Sequence, residues 1–342
     1  MWGAFAITYK LACPLAQQNS LGARIVSSAV FFAVGTGLVL HVRRALLREL
    51  RQVREVAGAT QNVLLRPLPP RLEGLALAAE RLSASRGASV GGDLYEVTAT
   101  DHGVRVVMGD VRGHGLDAIG TAAAVLGSFR EAAHEEPELP LVLRRLERAL
   151  GRHLTERSRA DQPATGVAAP DDALLAEEFV TVLLLEISEE GEISALNCGH
   201  PWPHLLSGQA RPLTDGEPLP PLGTLPLPAE LPVLHCGPLL PGEALILHTD
   251  GMEDERNAAG AYFPLRSALT EAARTQPVSP QGLVRAVHAR LVRHAGRLPS
   301  DDAALLVLRN DRARVPVQEP EPGCAIRPAM ELSGRRRDEW RR

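Results

Sequence analysis

The sequence predicts an α+β fold, in which antiparallel β-sheets carry helices on their outer faces and a long apolar helix precedes them. Two pairs of strand-like segments are separated by short polar turns, LYEVTAT with GVRVVMGDV and FVTVLLLEIS with GEISALNCGH. Such hairpins favour antiparallel pairing. Amphipathic segments of helical period, at residues 116–134 and 139–154, stand between the hairpins. Their apolar faces need a sheet to cover.

The N-terminal segment has the charge pattern of a membrane anchor. Residues 25–40 (IVSSAVFFAVGTGLVL) carry no charge, and the basic stretch HVRRALLRELRQVRE follows them. A spanning helix needs about 20 residues, so we expect one at about residues 22–42 within an anchor of residues 1–42. Because basic residues mark the cytoplasmic side, the remainder is expected in the cytoplasm, on a single-pass protein of the cell membrane. A buried helix and a signal peptide are the alternatives, but a signal peptide carries its positive charges before the apolar run.

Residues 43–68 predict a linker helix between the anchor and the globular domain. Leu46, Leu50, Val53 and Val56 recur near helical spacing, which favours a helix or a short coiled coil that pairs two copies of the chain. The motif RPLPPRL then ends the helix, because proline cannot continue one. We therefore expect a globular domain at residues 69–310 and a disordered polar tail at 311–342.

Elements of the globular domain follow from period and turn residues. A strand is expected at LEGLALAAERL, and the first hairpin turns at residues 101–103. A mobile loop is expected at 157–176 and a proline-rich loop at 212–232. The remaining elements are strands at HLLSG, ALILHTD and 303–309, and helices at 265–274 and 282–296.

Composition excludes two classes of protein. The net charge of −4 conceals an asymmetry, because residues 1–72 carry nine Lys or Arg and only two Asp or Glu, which leaves an acidic body. Nucleic-acid binders depend on basic residues that neutralise phosphates, so no nucleic-acid partner is expected. The four cysteines show no paired spacing, which argues against a disulfide framework and a zinc site.

Aspartates stand at the ends of four predicted strands, beside glycine in three cases. They are Asp93 in GGDLYEV, Asp110 in VVMGDVRGHG, Asp250 in LILHTDGMEDE and Asp301 in SDDAALLVLR. Each alone is an ordinary turn aspartate. If the fold brings them together, their repulsion is relieved by a divalent cation, and hard oxygen ligands favour Mg²⁺ or Mn²⁺.

Several motifs resemble, in order and spacing, those of the SpoIIE/RsbU-type protein phosphatases, the bacterial branch of the metal-dependent PP2C (PPM) serine/threonine phosphatases. They are RPLPPRLEGLALAAERLSASRGASVGGDLYEV, GDVRGHGLDA, NCGHPWPHLL, TDGMED and DDAALLVLR, spread over about residues 64–309. The resemblance implies an α-β-β-α sandwich of two antiparallel sheets with a dinuclear Mn²⁺ or Mg²⁺ site at one edge. It also implies hydrolysis of phosphoserine or phosphothreonine by metal-activated water, usually on a phosphorylated STAS-domain anti-sigma-factor antagonist.

The resemblance implies two groups of site residues. The first would hold the two cations and so carry catalysis: Asp93, Asp110, Asp250, Asp301 and the backbone carbonyl of Val111. The second would contact metal-bound water or phosphate: Glu96, Arg112, Gly113 and Asp302. Asp110 would bridge both cations, and the helix that begins at Leu116 would be the switch element of the family.

Departures from the family pattern affect the second group most. Glu96 and Arg112 stand where members of the wider family carry an aspartate and a histidine, so a general acid cannot be transferred. Ala304 replaces a common threonine, and Asp254 a usual glutamate. We expect His200 and His248 to be structural.

Two other functions remain as alternatives. GGDLYE is similar to the GGDEF signature of diguanylate cyclases, but Leu94 and Tyr95 separate its acids. The second alternative is a catalytically weak, membrane-tethered scaffold of the same pathway. Four clustered charges give a scaffold no advantage, which favours the phosphatase.

Overall fold

The computed structural model describes residues 21–82, 92–113, 115–161, 178–274, 279–296, 299 and 302–312. The described chain contains six helices and eleven strands. The helices are α1 Leu21–Leu64, α2 Leu116–Glu135, α3 Leu139–Asp161, α4 Gly251–Asp254, α5 Leu265–Ala272 and α6 Pro280–Ala295. The strands are β1 Arg71–Leu72, β2 Leu75–Leu82, β3 Leu94–Thr100, β4 Gly103–Val111, β5 Val180–Ile187, β6 Glu192–Cys198, β7 His204–Ser207, β8 Gln209–Pro212, β9 Leu234–Pro238, β10 Ala244–His248 and β11 Ala303–Asn310.

Two antiparallel sheets form the centre of the domain. One has the strand order β1-β2-β11-β10-β7-β8, and the other has the order β3-β4-β5-β6-β9. Both predicted hairpins are present, as β3 with β4 and β5 with β6. Helices α2 and α3 cover the five-stranded sheet, while α5 and α6 cover the six-stranded one. The predicted α-β-β-α sandwich is therefore confirmed.

Alternation along the strands divides the core into three layers, because successive side chains point to opposite faces of a sheet. In β4, Val106 and Met108 lie between the two sheets, whereas Val107 faces α2 and α3. In β10, Leu245 lies between the sheets and Ile246 faces α5 and α6. This division fixes which strand residues can reach the inter-sheet space at the edge of the sandwich.

Helix α3 and strand β9 differ from the sequence prediction. The predicted loop at 157–176 begins five residues too early, because α3 continues to Asp161. Arg157 supports this extension through ion pairs with Asp117 and Glu178. Strand β9 lies just beyond the predicted proline-rich loop and pairs only with β6, and this edge position leaves it without a buried alternating face. The remainder of the loop predicted at 157–176, residues 162–176, lies outside the described residues.

The C-terminal end of the globular domain also lies further along the chain than predicted. Asp311 and Arg312 were expected in the disordered tail, yet they are bonded to the sandwich. Arg312 Nη1 donates to the carbonyls of Ser188 and Glu189 at 2.7 Å each, and its Nε donates to that of Glu73 at 3.0 Å. The remaining predicted tail, residues 313–342, lies outside the described part of the chain.

Helix α1 runs without a break from the predicted membrane span into the predicted linker and ends at Leu64, before the predicted end of the linker at residue 68. Its segment Ser28–Arg48 is long and apolar enough to cross a membrane, and none of it is buried against the sandwich. A signal sequence near an N-terminus satisfies the same criterion. At the other end of α1, Arg130 of α2 donates from Nη2 to the Leu64 carbonyl at 2.8 Å, and Leu65 is buried against α2 and α3. The helix is thus joined to the body at its C-terminal end.

Candidate active site

Three of the four predicted aspartates, together with Asp302, lie at one edge of the sandwich. Asp93 precedes β3 and Asp110 lies near the end of β4, and antiparallel pairing brings these two strand ends together. Asp250 follows β10 and Asp302 precedes β11, which pair in the same way in the other sheet. Asp301 lies outside the described residues, so its predicted role stays a prediction.

Asp93 is the most buried of these acids, with 3% of its surface exposed. Burial raises its pKa well above the ordinary value, and the negative charges of Asp110, Asp302 and Asp250 raise it further, against a lowering by Arg81. Thr249 supports the side chain by donating from Oγ1 to Asp93 Oδ2 at 3.3 Å. The acids are therefore close enough to repel one another in the absence of a cation.

Donor chemistry and charge at this edge suit a hard divalent cation. Carboxylate oxygens are the ligands that Mg²⁺ and Mn²⁺ prefer, and a cation would relieve the repulsion around Asp93. Within the described residues, no group of three or more His, Cys, Asp or Glu side chains is placed to hold a metal ion. Completing such a site requires rotation of the described carboxylates or the contribution of Asp301.

Two glycines let the backbone approach the acids closely. A Cβ at Gly92 would collide with the carbonyl oxygen and nitrogen of Val111, the residue whose carbonyl was predicted as a ligand. A Cβ at Gly251 would collide with the carbonyl oxygen of Asp302. Neither position tolerates a side chain without a shift of the backbone that carries an acid.

Asp110 is held through its backbone by the neighbouring strand. It pairs in register with Thr181 of β5, and its N–H donates to Thr181 Oγ1 at 3.0 Å. Asp110 is two residues from Met108 on β4, and Thr181 is two residues from Leu183 on β5. Since Met108 and Leu183 face the space between the sheets, Asp110 and Thr181 face it too. The carboxylate of Asp110 is thereby positioned on the side where Asp93 lies.

Among the residues predicted to surround the metals, Glu96 has a different partner. It pairs in register with Val107, which faces the helices, and its carboxylate forms an ion pair with Arg130 of α2 at 2.6 Å. Two side chains of a strand face the same side when their residue numbers differ by an even number, whereas those of Asp93 and Glu96 differ by three. The expected contact of Glu96 with metal-bound water is therefore replaced by a bond to α2.

Arg112 and Gly113 are both exposed at the turn after β4. The Arg112 guanidinium lies over the ring of Phe179, 5.2 Å from its centroid, and its backbone N–H donates to the Phe179 carbonyl at 2.9 Å. Gly113 has φ of 112°, a conformation that favours glycine. Both residues are thus accessible from the solvent side, and the phosphate contact of Arg112 stays a prediction.

Sequence reasoning missed Arg81, which lies in β2 opposite Ala304. Arg81 lies on the same face of β2 as Leu77 and Ala79, so its side chain enters the space between the sheets. There its positive charge lowers the pKa of Asp93. Its Nη1 is buried and has no hydrogen-bond partner among the residues that the structure describes. The alternation within LALAAERL was the only available signal, since it predicts that Arg81 and the apolar residues before it share one face.

Comparison with known proteins places this architecture in a class. The sequence model of stage II sporulation protein E (SpoIIE) matches residues 100–311. The SiaA PP2C domain of Pseudomonas aeruginosa superposes with a TM-score of 0.57 at 18% identity, covering 78% of this chain and 98% of that one. The RsbU and RsbW domains of a Mycobacterium tuberculosis protein superpose with a TM-score of 0.53 at 23% identity. That match covers 69% of this chain and 60% of the Mycobacterium chain.

The two-sheet sandwich flanked by helices is the fold of the PP2C-type class of domains. Within that class, the chain belongs to the SpoIIE family, whose model covers more than half of it.

Proposed function

We propose that this protein is a metal-dependent phosphatase that hydrolyses phosphoserine or phosphothreonine in a protein substrate. The observation that carries the proposal is the convergence of Asp93, Asp110, Asp250 and Asp302 from both sheets onto one edge of a PP2C-type sandwich. Mutual repulsion among these acids is a cost to the fold. Binding of divalent cations offsets that cost, so the acids that destabilise the metal-free protein are the ones that hold the metal needed for hydrolysis.

A pair of bound Mn²⁺ or Mg²⁺ ions would supply an activated water and neutralise charge on the phosphoryl oxygens. The residues proposed to hold them are Asp93, Asp110, Asp250, Asp301 and the carbonyl of Val111. Thr249 orients Asp93 through its hydrogen bond, and Thr181 fixes the backbone at Asp110. Arg112, exposed at the turn beside Asp110, is placed to meet a phosphate from the solvent side.

For the substrate we propose a phosphorylated STAS-domain anti-sigma-factor antagonist. The family resemblance supports this choice, and one structurally similar Mycobacterium protein carries an RsbW domain beside its RsbU domain. A phosphoprotein rather than a nucleotide also agrees with the open, exposed surface around Arg112 and Gly113. The test is phosphate release from candidate antagonists phosphorylated at a single serine or threonine.

We further propose that α1 anchors the enzyme in the cell membrane with the catalytic domain in the cytoplasm, and that its C-terminal half pairs two copies. The apolar segment Ser28–Arg48 and the basic residues Arg43 and Arg44 support this arrangement. The exposed Leu46 and Leu47 supply apolar surface for a second helix.

The experiment that tests the activity is hydrolysis of p-nitrophenyl phosphate by the full chain in detergent, with Mn²⁺, Mg²⁺ or a chelator. We expect activity only with metal, and its loss by at least about 100-fold in Asp110→Asn and Asp250→Asn. Asp101→Asn, in the exposed turn between β3 and β4, is the matched control and should retain full activity. Undiminished rates in both ligand variants would contradict the mechanism.

The scaffold alternative makes a different prediction in the same preparation. A scaffold would bind the phosphorylated antagonist with equal affinity in the presence of metal or chelator and would release no phosphate. A diguanylate cyclase would convert GTP into a cyclic dinucleotide. Measuring phosphate release, antagonist binding and cyclic dinucleotide together distinguishes the three functions.

A further inference from the structure

The motif NCGH forms a tight turn directly behind Asp110. Asn197 closes the turn on both sides, since His200 N–H donates to Asn197 Oδ1 and Asn197 Nδ2 donates to the His200 carbonyl, both at 2.8 Å. The His200 ring is thereby held with Nδ1 at 2.9 Å from Thr181 Oγ1. Thr181 in turn accepts the N–H of Asp110 at 3.0 Å. A continuous set of hydrogen bonds connects this turn with the proposed bridging ligand.

The direction of these bonds follows from the donors present. Thr181 Oγ1 already accepts the Asp110 N–H, so its own proton must go to an acceptor. The nearer acceptor is His200 Nδ1 at 2.9 Å, and the Asp110 carbonyl is farther away at 3.4 Å. Burial lowers the pKa of His200 to about 3, with a second contribution from His248, so the ring is neutral and can accept.

The ring contributes little to stability beyond this bond. His200 is 4% exposed, and among the described residues its Nε2 has no hydrogen bond of ordinary length and angle, the backbone of His248 being the polar group that acts on the ring. A buried polar nitrogen without a partner costs free energy that an apolar side chain of similar volume would not. The bond from Thr181 to Nδ1 is therefore the feature that distinguishes histidine from leucine at this position.

We propose that His200 is a positioning residue for metal binding: as a neutral acceptor at Nδ1 it orients the Thr181 hydroxyl, which fixes the backbone and hence the carboxylate of Asp110. This inference rests on the proposed function in one respect, the role of Asp110 as a metal ligand. Partners that orient ligands in this way typically change metal affinity by about 10- to 100-fold when removed.

The test compares His200→Leu with His200→Asn in the full chain in detergent. Asparagine can place an oxygen acceptor near the position of Nδ1, whereas leucine fills the space without an acceptor. We expect the Mn²⁺ dissociation constant, measured by calorimetry, to rise at least about 10-fold in His200→Leu and to stay within about threefold of the wild type in His200→Asn. Thr181→Val should weaken Mn²⁺ binding at least as much as His200→Leu, because it also removes the acceptor of the Asp110 N–H, and Thr181→Ser should match the wild type.

The double variant Thr181→Val/His200→Leu should bind Mn²⁺ no more weakly than Thr181→Val alone, because His200→Leu removes no further bond once the Thr181 hydroxyl is absent. A merely structural histidine would lower the melting temperature or the folded fraction and leave the Mn²⁺ affinity of the folded protein unchanged. Unchanged Mn²⁺ affinity in folded His200→Leu, or equal losses in His200→Asn and His200→Leu, would overturn the proposal.

A spectroscopic measurement tests the direction of the bond without metal or activity. The ¹⁵N resonances of the His200 ring should show Nδ1 as the unprotonated, accepting nitrogen, and Thr181→Val should shift that resonance. A protonated Nδ1 would overturn the proposal. If the wild type binds Mn²⁺ with this dependence on His200 but hydrolyses no phosphoester, the proposed function fails and the inference stands.

Discussion

At the scale of single residues, the molecule concentrates unfavourable charge where chemistry is proposed. Asp93 is buried between the sheets, near three other acids, and Arg81 is the cation among the described residues that lowers its pKa. Such an arrangement costs stability in the metal-free protein and favours cation binding. Removal of the Asp93 charge should therefore raise the stability of the metal-free protein and abolish its activity.

We predict that Asp93→Asn stabilises the protein in chelator while abolishing Mn²⁺-dependent hydrolysis. Because the folded-state pKa of Asp93 is raised, the wild type loses stability as the pH rises from the ordinary value of about 4 through the raised one. The advantage of Asp93→Asn should grow over that window and then level off. Thermal unfolding in chelator across pH checks this, and a variant less stable than the wild type at neutral pH would contradict it.

Glycine at position 92 is a second residue-scale feature. Gly92→Ala places a methyl group against the backbone of Val111, next to Asp93. We expect lower stability and at least about a 10-fold weaker Mn²⁺ affinity, because the backbone that carries the ligands must move. Gly151→Ala is the matched control, since a Cβ there meets nothing within 4 Å and lies in the interior of α3. That control should gain about 0.5–1 kcal/mol and keep its Mn²⁺ affinity.

At the scale of elements, α2 connects the N-terminal helix with the strand that follows Asp93. Arg130 of α2 donates to the last carbonyl of α1, at Leu64, and pairs with Glu96 of β3. The switch element implied by the family resemblance therefore contacts both the linker and a strand of the site. This set of bonds is a physical route by which α1 could influence the acids.

We predict that Arg130→Met destabilises the protein by about 1–3 kcal/mol, because Glu96 is left buried without its partner. Arg145→Met removes the ion pairs of α3 with Glu136 and with Glu135, which is 61% exposed, at the C-terminal end of α2, and it should have a smaller effect. Chemical denaturation of both variants gives the comparison. Equal effects would show that the Arg130 contacts contribute no more than a surface pair.

Comparison of the predicted with the observed helices and strands shows which elements local sequence patterns can identify. Period and turn residues predicted both hairpins and five of the six helices, because each carries a continuous alternating or amphipathic face. The missed helix α4 has four residues, too few for a period, and the edge strand β9 has no buried face. Local patterns therefore identified elements long enough to show a period, and missed the four-residue α4 and the strand β9, which has no buried face.

The site was less accessible to sequence reasoning than the fold. Motif resemblance brought the aspartates together, whereas no local pattern predicts that strand ends 156 residues apart, such as those at Asp93 and Thr249, meet through a hydrogen bond. Glu96 was assigned to the site by motif position, but the alternation along β3 turns it towards α2. For Arg81, only the alternation of side chains along LALAAERL indicated that it faces the space between the sheets.

At the scale of the whole molecule, one continuous helix precedes a sandwich whose site lies at a sheet edge. We predict that the full chain remains with the membrane fraction after a high-salt wash and is released by detergent, because Ser28–Arg48 supplies an apolar span and not only a charged surface. A chain that begins at residue 43 should be released from that fraction. Release of the full chain by salt alone would contradict membrane insertion.

The central claim is that the aspartates of both sheets form one cation site. Anomalous diffraction from crystals soaked in Mn²⁺ tests it most directly. The account predicts Mn²⁺ at the edge of the sandwich, bonded to oxygens of Asp110 and Asp250. Crystals that take up Mn²⁺ elsewhere, while these carboxylates remain without an ion, would contradict it.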